Sequence, residues 1–539
     1  MSEAGFVTSK RATSACLIRG QSSPNRVVSR DQKESRPYED ETFCYASNQL
    51  RNRVEAKEVT RMAGELTSQS EDYSAWYNEI VQKADLADYS PVRGCMVIKP
   101  YGYELWEAIR NGLDRRFKET GHVNAYFPLL IPMSFLEKEA EHVDGFAPQV
   151  AVVTHGGGKE LEEPLVIRPT SETIIGHMYA QWVQSYRDLP ILINQWANVV
   201  RWELRTRLFL RTMEFLWQEG HTVHATYEEA EEEARRMLDV YTDFAINDAA
   251  IPVVRGRKSR AETFPGAMTS YSIEGMMGDK RALQAGTSHN LGQSFAKAFD
   301  VTYLDQNNET QYCWGTSWGV STRMVGAIIM VHGDDQGLRL PPVVAPIQVV
   351  IVPIYKDASE ERGVMDGVSK VANELRGAGI RIQVDDREGY TPGWKFNEWE
   401  MRGVPLRIEV GPREIAEEKL TCARRDAPGG TARFVISRDQ VVERANQSLS
   451  EIQKSLHDQA LAFRDSNIHE PRDYEEFKEI VQDGWAYTWW CGSAECEASI
   501  QEEIQATTRC IPLDQGTGSG ECIYCGNKAA ERAYFARAY

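Results

Sequence analysis

Apolar side chains recur at three- and four-residue intervals in three segments of the chain, which is the spacing of an amphipathic helix. The segments are residues 72–86, 99–120 and 227–248. In the second segment the apolar face consists of Leu105, Ile109, Leu113 and Phe117. The third segment is rich in glutamate, and we expect its acidic side to face solvent. The pattern therefore predicts three helices, with ordered structure beginning near Asp72.

Shorter apolar runs predict strands. Residues 124–136 contain one strand, and we expect Pro128 and Pro132 to stop further helix there. Residues 282–299 indicate a strand, a glycine-rich turn and a helix, and residues 316–335 indicate a strand followed by a buried helix.

A proline-rich segment at 341–348 is typical of a stiff linker and marks a domain boundary. After it, apolar strands alternate with helical patterns at 358–377 and 391–403. This alternation predicts a small α/β domain with a mixed sheet. A last segment, from about 471 to 539, carries the clustered cysteines.

The overall composition is that of a globular protein. A length of 539 residues allows roughly three domains. The net charge of −18 argues against a protein coated with basic surface, although one local basic face could still bind a single RNA. No run of eighteen apolar residues occurs in the sequence, so we expect no membrane span.

The first 70 residues differ from the remainder and are expected to be a disordered extension. Residues 1–36 contain seven basic residues against three acidic ones, and serine is frequent. Such a composition is typical of an organelle transit peptide, but a disordered tail that has no targeting function can have the same composition. The cytoplasm and a plastid or mitochondrion therefore both stay open as compartments.

Four of the ten cysteines form two close pairs. They are Cys491, Cys496, Cys522 and Cys525. No apolar signal segment follows the N-terminus, so a reducing compartment is expected and disulfides are disfavoured. Paired thiolates suit a tetrahedral zinc ion, while the alternative is four reduced cysteines in a core.

The glycine-rich stretch Gly156–Lys159 superficially suggests a phosphate-binding loop. A P-loop requires a serine or threonine after the lysine, and here Glu160 follows. A turn between two strands is the better interpretation.

The stretch RWELRTRLFLRTMEFLWQEGH, residues 201–221, carries four arginines and three glutamates among large apolar residues. An arginine guanidinium can donate two hydrogen bonds to phosphate oxygens at once, and an aromatic ring can stack on a base. The segment therefore predicts a site for a polyphosphate joined to a planar group, with ATP as the candidate. Two further blocks share this chemistry, RPTSE at 168–172 and TSWGVSTR at 316–323.

These blocks resemble the three signature motifs of class II aminoacyl-tRNA synthetases. The helix at 99–120 with NAYFPLLIP resembles motif 1, with Pro128 or Pro132 at a dimer seam. Arg201-Trp-Glu203 with Arg211–Phe215 resembles motif 2, and the strand and helix that present Arg323 resemble motif 3. RPTSE, FLWQEGHT, QAGTSH and TPGWKF together resemble the prolyl-tRNA synthetases of the eukaryote/archaeal-like type, over about 72–539.

The resemblance implies an α+β protein with a catalytic antiparallel sheet at 71–340. It further implies an anticodon-binding α/β domain at 341–455 and a small zinc-binding α+β domain at 456–539. The implied activity joins L-proline to ATP, releases pyrophosphate, and transfers proline to the 3' end of tRNA(Pro). The implied partners are ATP with Mg²⁺, a structural Zn²⁺ and a second copy of the chain in a homodimer.

The implied ATP site combines positive charge with an aromatic ring. Arg201 and Arg323 are its catalytic residues, with Arg201 on the α-phosphate and the amino-acid carboxylate. The site also includes Glu203, Arg211, Thr212, Phe215, Gln284, Thr287 and Ser321, in which Glu203 either contacts the adenine amino group or orients Arg201. The carboxylate that attacks is already ionised at pH 7, so positioning and charge neutralisation suffice for activation.

The implied proline pocket comprises Thr170, Glu172, Arg201, Trp217, Glu219, His289 and Ser317. A pocket that fits proline rejects smaller amino acids by only about 1–3 kcal/mol. About a hundred residues separate Phe215 from Thr316, so we expect no editing domain between them, and misactivation of cysteine or alanine.

Contacts with tRNA are expected at two places. Arg205 and Arg207 either touch the acceptor end or face water. Lys395, Arg402 and Trp394 are candidates for the anticodon, with a core position as the alternative for Trp394. Two rival functions are a non-catalytic, synthetase-like RNA-binding protein and a sister enzyme for threonine or glycine.

Overall fold

The computed structural model describes residues 66–142, 149–203, 205–427, 430 and 432–539. The helices are α1 (Tyr73–Lys83), α2 (Pro100–Glu119), α3 (Met133–His142), α4 (Glu172–Trp182), α5 (Tyr227–Asn247), α6 (Ser294–Phe299), α7 (Arg323–His332), α8 (Ala358–Gly377), α9 (Pro392–Met401), α10 (Pro412–Glu417), α11 (Val441–Ser466), α12 (Tyr474–Ile480) and α13 (Ala494–Ile504). Short 3₁₀ helices span Tyr186–Asp188 and Arg438–Gln440.

The strands form six sheets, the largest of eleven strands. They are β1 (Ala87–Tyr89), β2 (Met96–Ile98), β3 (Val123–Asn124), β4 (Leu130–Pro132), β5 (Ala151–Gly156), β6 (Lys159–Ile167), β7 (Ile191–Val200), β8 (Glu214–His224), β9 (Val254–Arg257), β10 (Thr269–Met276), β11 (Ala282–Gly292), β12 (Thr302–Leu304), β13 (Thr310–Tyr312), β14 (Trp314–Ser321), β15 (Val349–Pro353), β16 (Ile382–Val384), β17 (Leu406–Val410), β18 (Lys419–Arg424), β19 (Ala432–Ser437), β20 (Ile468–His469), β21 (Trp485–Trp490), β22 (Thr507–Pro512), β23 (Gly520–Glu521), β24 (Lys528–Ala529) and β25 (Glu531–Ala536).

The N-terminal extension predicted at 1–70 lies almost wholly outside the described residues. Its last part does not fit the prediction of disorder. Leu66 and Thr67 are buried, and both the backbone N–H and the hydroxyl of Thr67 donate to the Glu79 carboxylate of α1. The prediction of a disordered segment is therefore wrong for the residues just before α1.

The three predicted amphipathic helices are confirmed as α1, α2 and α5. The Asp72 carboxylate caps α1 by accepting hydrogen bonds from two backbone N–H groups of its first turn. The acidic side of α5 is not solvated throughout, because Glu233 is buried and lies 3.0 Å from His122 Nε2. A helix also begins at Met133, directly after Pro132, so the expectation that Pro132 excludes helix there is wrong. Proline at a helix start breaks no hydrogen bond within the helix.

The glycine-rich stretch at 156–159 is confirmed as a turn between β5 and β6. Gly157 and Gly158 both have positive φ, of 58° and 78°. That backbone conformation is one that glycine adopts readily.

The catalytic sheet is built from strands β9, β10, β11, β14, β8 and β7, each antiparallel to its neighbour. Helix α5 packs across one face of it and buries Tyr241 and Phe244 together with Trp318 of β14. The ring of Trp318 passes Gly220 of β8 so closely that a Cβ there would lie 2.1 Å from it. One face of the sheet is thus core, and the other is left for a site. This is the antiparallel catalytic sheet that the resemblance implies.

The second domain has a five-stranded sheet in the order β16-β15-β17-β18-β19. The pairs of β15 with β16 and β17 are parallel, and the remaining pairs are antiparallel, which confirms the predicted mixed sheet. Helix α11 runs without a break through the boundary predicted between 455 and 456.

Most of the C-terminal strands do not form a separate sheet, although β23 and β24 pair with each other in a small two-stranded one. Strand β22 pairs with β9, so β20, β21, β25 and β22 extend the catalytic sheet. Gly256 of β9 makes this pairing possible, because a Cβ at Gly256 would lie 2.4 Å from the Ile511 carbonyl oxygen. The C-terminal domain is therefore structurally continuous with the catalytic domain. None of the helices among the described residues has the length and apolarity needed to cross a membrane.

Candidate active site

The strand register assembles a cavity of about 270 Å³ on the sheet face opposite α5. In β8, Trp217, Glu219 and His221 lie opposite Ser321, Gly319 and Ser317 of β14. Because side chains alternate along a strand, these residues share one face. The lining residues are Thr170, Glu172, Arg201, Phe215, Trp217, Glu219, His221, Lys258, Glu262, Phe264, Ser270, Gln284, Ala285, Gly286, Thr287, His289, Ser317, Trp318, Gly319, Val320, Ser321 and Arg323.

Every residue predicted for the proline pocket lines this cavity, as do most of those predicted for ATP. Glu203, Arg211 and Thr212 do not. Glu203 and Arg211 instead form an ion pair of 2.7 Å at the surface. The Thr212 hydroxyl donates to the Glu214 carbonyl at 2.7 Å. The structure therefore leaves these three side chains outside the group that the other predicted residues form.

Two half-buried guanidinium groups face the cavity. Arg201 Nε donates to the Pro169 carbonyl at 3.0 Å, and its guanidinium lies 5.5 Å from the Phe215 ring and 5.3 Å from the Trp217 ring. Arg323 Nε donates to the Leu210 carbonyl at 3.1 Å. Within the described part of the chain, neither arginine has a carboxylate within 4.0 Å.

Burial acts on both arginines. It lowers the pKa of Arg201, against the opposing charges of Glu172 and Glu219. Burial and then the positive charge of Arg201 lower the pKa of Arg323. An arginine in a protein keeps its proton nonetheless, so the cavity concentrates positive charge that an anion would balance.

Glu219 forms the centre of a hydrogen-bond network at the floor of the cavity. Its carboxylate accepts from the Ser171 N–H at 3.1 Å, from Gln195 Nε2 at 2.9 Å and from His221 Nε2 at 3.1 Å. The Ser171 hydroxyl donates to it as well. These contacts fix the carboxylate and occupy most of its acceptor sites.

Glu219 and His221 form a buried ion pair. Burial alone would raise the pKa of Glu219. The hydrogen bond from His221, its charge, and the hydrogen bonds from Ser171 and Gln195 outweigh burial and lower this pKa. Burial would lower the pKa of His221, but the bond to Glu219 and the charges of Glu172 and Glu219 raise it. Both shifts favour the ion pair, with the proton on His221.

The Glu172 carboxylate has fewer fixed donors than that of Glu219. The Thr170 hydroxyl donates to it, and Thr170 lies 3.4 Å from Glu219 as well. Glu172, Glu219 and His221 place their ligand atoms within 4.8 Å of one another, a spacing that a metal ion would also fit. A metal there would have to displace the donors that already hold Glu219.

His289 is a neutral histidine in the cavity wall. Burial, followed by the charges of Lys258 and His221, lowers its pKa to about 3. Its Nδ1 is 2.7 Å from the Ser270 hydroxyl, and its ring lies 4.9 Å from the Phe264 ring. The ring thus offers an apolar surface rather than a charge.

Several cavity residues escape the sequence reasoning. His221 stands two positions after Glu219, so strand alternation could have placed it on the same face. Three further lining residues belong to the loop between β9 and β10, and one belongs to the start of β10. They are Lys258, Glu262 and Phe264 of the loop and Ser270 of the strand. The sequence shows no periodicity there that would indicate a site. Lys258 is buried, and its Nζ donates to Glu274 at 3.1 Å and to the Arg509 carbonyl at 3.0 Å.

The two arginines predicted for the tRNA acceptor end differ in environment. Arg205 is exposed. Arg207 is half-buried, with its guanidinium 4.5 Å from the Tyr77 ring and 5.5 Å from the ring of the last residue, Tyr539. Arg207 thus packs within the protein.

The anticodon candidates also differ. Lys395 is buried, and its Nζ donates to the Asp385 carbonyl at 2.9 Å, so the expectation that it faces RNA is wrong. Arg402 pairs with Glu398 at 3.2 Å and contacts Asp85 of the first domain. Trp394 is 43% exposed and stacks on Tyr390, with 4.0 Å between ring centroids. Trp394 is therefore a surface residue rather than a core one.

The four clustered cysteines converge in the C-terminal domain. Sγ of Cys491 lies 3.6 Å from that of Cys496 and 3.8 Å from that of Cys525, and all four sulfurs lie within 4.8 Å of one another. A tetrahedral zinc with Zn–S bonds of about 2.3 Å requires sulfurs about 3.8 Å apart. The arrangement fits such an ion.

Three protein-family models match the chain in order. "tRNA synthetase class II core domain (G, H, P, S and T)" matches residues 153–332, "Anticodon binding domain" matches 348–448, and "Prolyl-tRNA synthetase, C-terminal" matches 474–539.

Similar proteins cover nearly the same span. A "Proline--tRNA ligase" of Roseiflexus castenholzii is 59% identical over 476 residues, which is 88% of this chain and 99% of the relative. A "Proline--tRNA ligase, chloroplastic/mitochondrial" of Arabidopsis thaliana is 56% identical over 492 residues, 90% of this chain and 91% of the relative. A crystal structure of a prolyl-tRNA synthetase from Cryptosporidium parvum, complexed with halofuginone and AMPPNP, has a TM-score of 0.84 at 38% identity and covers 88% of this chain and 99% of its own.

Proposed function

The chain belongs to the prolyl-tRNA synthetase family, and from this premise we propose how its residues perform proline–tRNA ligation. It is an ATP-dependent aminoacyl-tRNA ligase that acts on proline. The observation that carries the assignment of roles is the pair Arg201 and Arg323, two cavity arginines without a carboxylate partner among the described residues. We assign both to ATP, whose phosphates supply the missing negative charge.

Arg201 is placed to serve both substrates. Its guanidinium lies 5.5 Å from the Phe215 ring and 5.3 Å from the Trp217 ring, and these two rings are neighbours with centroids 6.1 Å apart. We assign the Phe215 side to adenine stacking and the Trp217 side to proline, so that Arg201 lies where the carboxylate meets the α-phosphate. Gln284, Thr287 and Ser321 complete the nucleotide side. ATP enters as its magnesium complex, because Mg²⁺ is commonly held by phosphate oxygens.

The chemistry of activation requires alignment rather than proton transfer. The proline carboxylate is ionised at neutral pH and attacks the α-phosphorus in line, with pyrophosphate as the leaving group. Arg201 and Arg323 offset the charge on the phosphate oxygens in the transition state. The same cavity then holds the adenylate for transfer to the terminal adenosine of the tRNA.

Proline recognition uses the opposite end of the cavity. Glu172 and Thr170 offer oxygen acceptors to the secondary ammonium, and Glu219 is fixed beneath them. Trp217, the neutral ring of His289 and Ser317 surround the five-membered ring. Alanine and cysteine are smaller and also fit, so we propose that the enzyme activates them slowly.

Three features of the whole protein complete the proposal. A zinc ion held by Cys491, Cys496, Cys522 and Cys525 would cross-link the C-terminal domain and supply no chemistry to the reaction. A homodimer is supported by three exposed apolar side chains in or directly before the NAYFPLLIP part of motif 1, namely Val123, Tyr126 and Leu130. The basic residues of 1–36 favour import into an organelle, in keeping with the name of the Arabidopsis relative.

Amino-acid-dependent ATP–pyrophosphate exchange tests the assignment. Proline should drive exchange in the wild-type protein, and Arg201→Ala should abolish it. Equal exchange with threonine or glycine, or no exchange with any amino acid, would contradict the proposed function.

A further inference from the structure

The loop between β9 and β10, residues 258–268, forms one wall of the cavity. Lys258, Glu262 and Phe264 of this loop line it. The Phe264 N–H donates to the Ser270 hydroxyl at 2.9 Å, and that hydroxyl is 2.7 Å from His289 Nδ1. The Phe264 ring also packs on the His289 ring. The position of the loop therefore determines the surface that surrounds His289.

Ser259 holds the start of this loop. It is fully buried, its hydroxyl accepts from the Glu262 N–H at 3.1 Å, and its carbonyl accepts from the Thr263 hydroxyl at 2.8 Å. One residue thus closes the turn that leads to Phe264. A shift of Ser259 would move the whole turn with it.

The Ser259 hydroxyl in turn donates to the Glu497 carboxylate at 2.9 Å. Glu497 lies on α13 of the C-terminal domain and is buried. The adjacent Lys258 is bound to the same domain through the Arg509 carbonyl of β22. Two consecutive residues at the base of the loop are therefore held by the C-terminal domain and not by the catalytic domain alone.

We propose that Glu497 is a positioning residue for the amino-acid side of the cavity. Through Ser259 it holds loop 258–268 against His289, and in this way it sets the affinity for proline without touching the substrate. The inference rests on the proposed function, because that function assigns the His289 side of the cavity to proline. The nucleotide side at Phe215 and Arg323 has no contact with this loop among the hydrogen bonds and ring contacts of the described residues.

Steady-state ATP–pyrophosphate exchange on the full-length protein tests this role through separate KM values for proline and ATP. Glu497→Ala and Ser259→Ala should each raise the KM for proline by up to roughly tenfold, the effect of losing a buried hydrogen bond. The KM for ATP and kcat should stay within about twofold. Glu497→Gln keeps an acceptor oxygen and should resemble the wild type. Glu502→Ala, at an exposed position of the same helix, is the matched control.

The double variant S259A/E497A separates positioning from general damage. If the two residues act through one contact, it should be no worse than the more severe single variant. Additive losses, parallel increases in both KM values, or an unchanged KM for proline would overturn the proposal. Ser259→Ala changes no residue of the C-terminal domain, so it decides the matter if Glu497→Ala unfolds. A wild-type protein without proline-driven exchange would refute the proposed function, whereas normal wild-type exchange with unaffected variants refutes only the positioning role.

Discussion

The ring of Tyr539, the last residue, lies 5.5 Å from the Arg207 guanidinium in the connection between β7 and β8. The Tyr539 hydroxyl donates to Asp279 at 2.6 Å, and its N–H donates to the Ala282 carbonyl at 3.1 Å. Arg207 in turn exchanges backbone hydrogen bonds with Arg211, 2.6 and 2.9 Å long. The end of the chain thus packs against the connection that leads to Phe215 and the nucleotide side of the cavity.

The first prediction concerns this contact. Tyr539→Ala should remove the contact between Tyr539 and Arg207, while Tyr77 still packs on Arg207. The loss should raise the KM for ATP, because a cation–π contact contributes about 0.5–2 kcal/mol, or roughly 2- to 30-fold. Tyr539→Phe keeps the ring over Arg207 and should stay close to the wild type. Both variants are compared by ATP–pyrophosphate exchange at saturating proline. A KM for ATP that is equal in Tyr539→Ala and wild type would show that the contact does not order the connection.

The second prediction concerns the charge at Arg323. Arg323→Lys retains a positive charge but loses the planar fork, so exchange should fall roughly 30- to 1000-fold. Arg211→Lys is the control, because Arg211 lies outside the cavity and pairs with Glu203 at the surface. Its rate should fall less than about fivefold. Near-normal exchange in Arg323→Lys would remove Arg323 from the nucleotide site.

The resemblance of the motifs predicts the residues of the cavity floor, and strand alternation accounts for the face that they share. Trp217 and Glu219 share a face by period two, and Ser317 and His289 join them through the sheet register. The same argument does not reach Lys258 or Phe264, which a loop brings to the wall. Predictions of side-chain exposure also failed where tertiary packing determines the environment. Lys395 is an example, because its amine donates a hydrogen bond to the Asp385 carbonyl within the protein.

The continuity of the C-terminal strands with the catalytic sheet could not be predicted either. It depends on the pairing of β22 with β9, strands separated by about 250 residues. Local composition does not specify such a partner. In the sequence, only Gly256 indicates that another strand could approach β9 closely. A single glycine in a strand can equally mark a bulge, a bend or a ligand contact, so it does not identify β22 as the partner.

The third prediction concerns the cysteine cluster. Protein purified without chelator should contain about one equivalent of zinc per chain. Cys525→Ser should lose the zinc and lower the melting temperature, since structural zinc binding contributes directly to folding. Cys510→Ala is the matched control, because Cys510 is buried in β22 and lies outside the cluster. Less than half an equivalent in the wild type, by metal analysis, would argue for reduced cysteines without a metal.

The fourth prediction separates tRNA binding from activation. Trp394 and Tyr390 form an exposed stacked pair, and stacking of a base on an aromatic ring contributes about 1–3 kcal/mol. Trp394→Ala should therefore lower kcat/KM for tRNA in aminoacylation roughly 5- to 150-fold, and proline-dependent exchange without tRNA should be unchanged. Trp394→Phe keeps a ring and should retain most activity. If both reactions fall together in Trp394→Ala, the residue supports the fold and does not contact RNA.

The last prediction concerns acid stability and depends on a histidine outside the cavity. His332 at the end of α7 is buried, and in its neutral form Nε2–H donates to the Ala249 carbonyl at 2.9 Å. Burial lowers its pKa to about 4. Between pH 6.5 and 4 the unfolded chain therefore binds a proton that the folded chain does not. Stability from this group is complete above the unfolded pKa of about 6.5 and is lost as the pH falls.

The loss should amount to about 1.4 kcal/mol per pH unit, or about 2 kcal/mol at pH 5, and should level off below pH 4. His332→Gln has no proton to gain, so its free energy of unfolding should fall less between pH 8 and pH 5. Urea denaturation at both pH values measures this difference, and the pH 8 arm removes any constant effect of the substitution. Identical pH dependence in the two proteins would mean that His332 is not held neutral by burial.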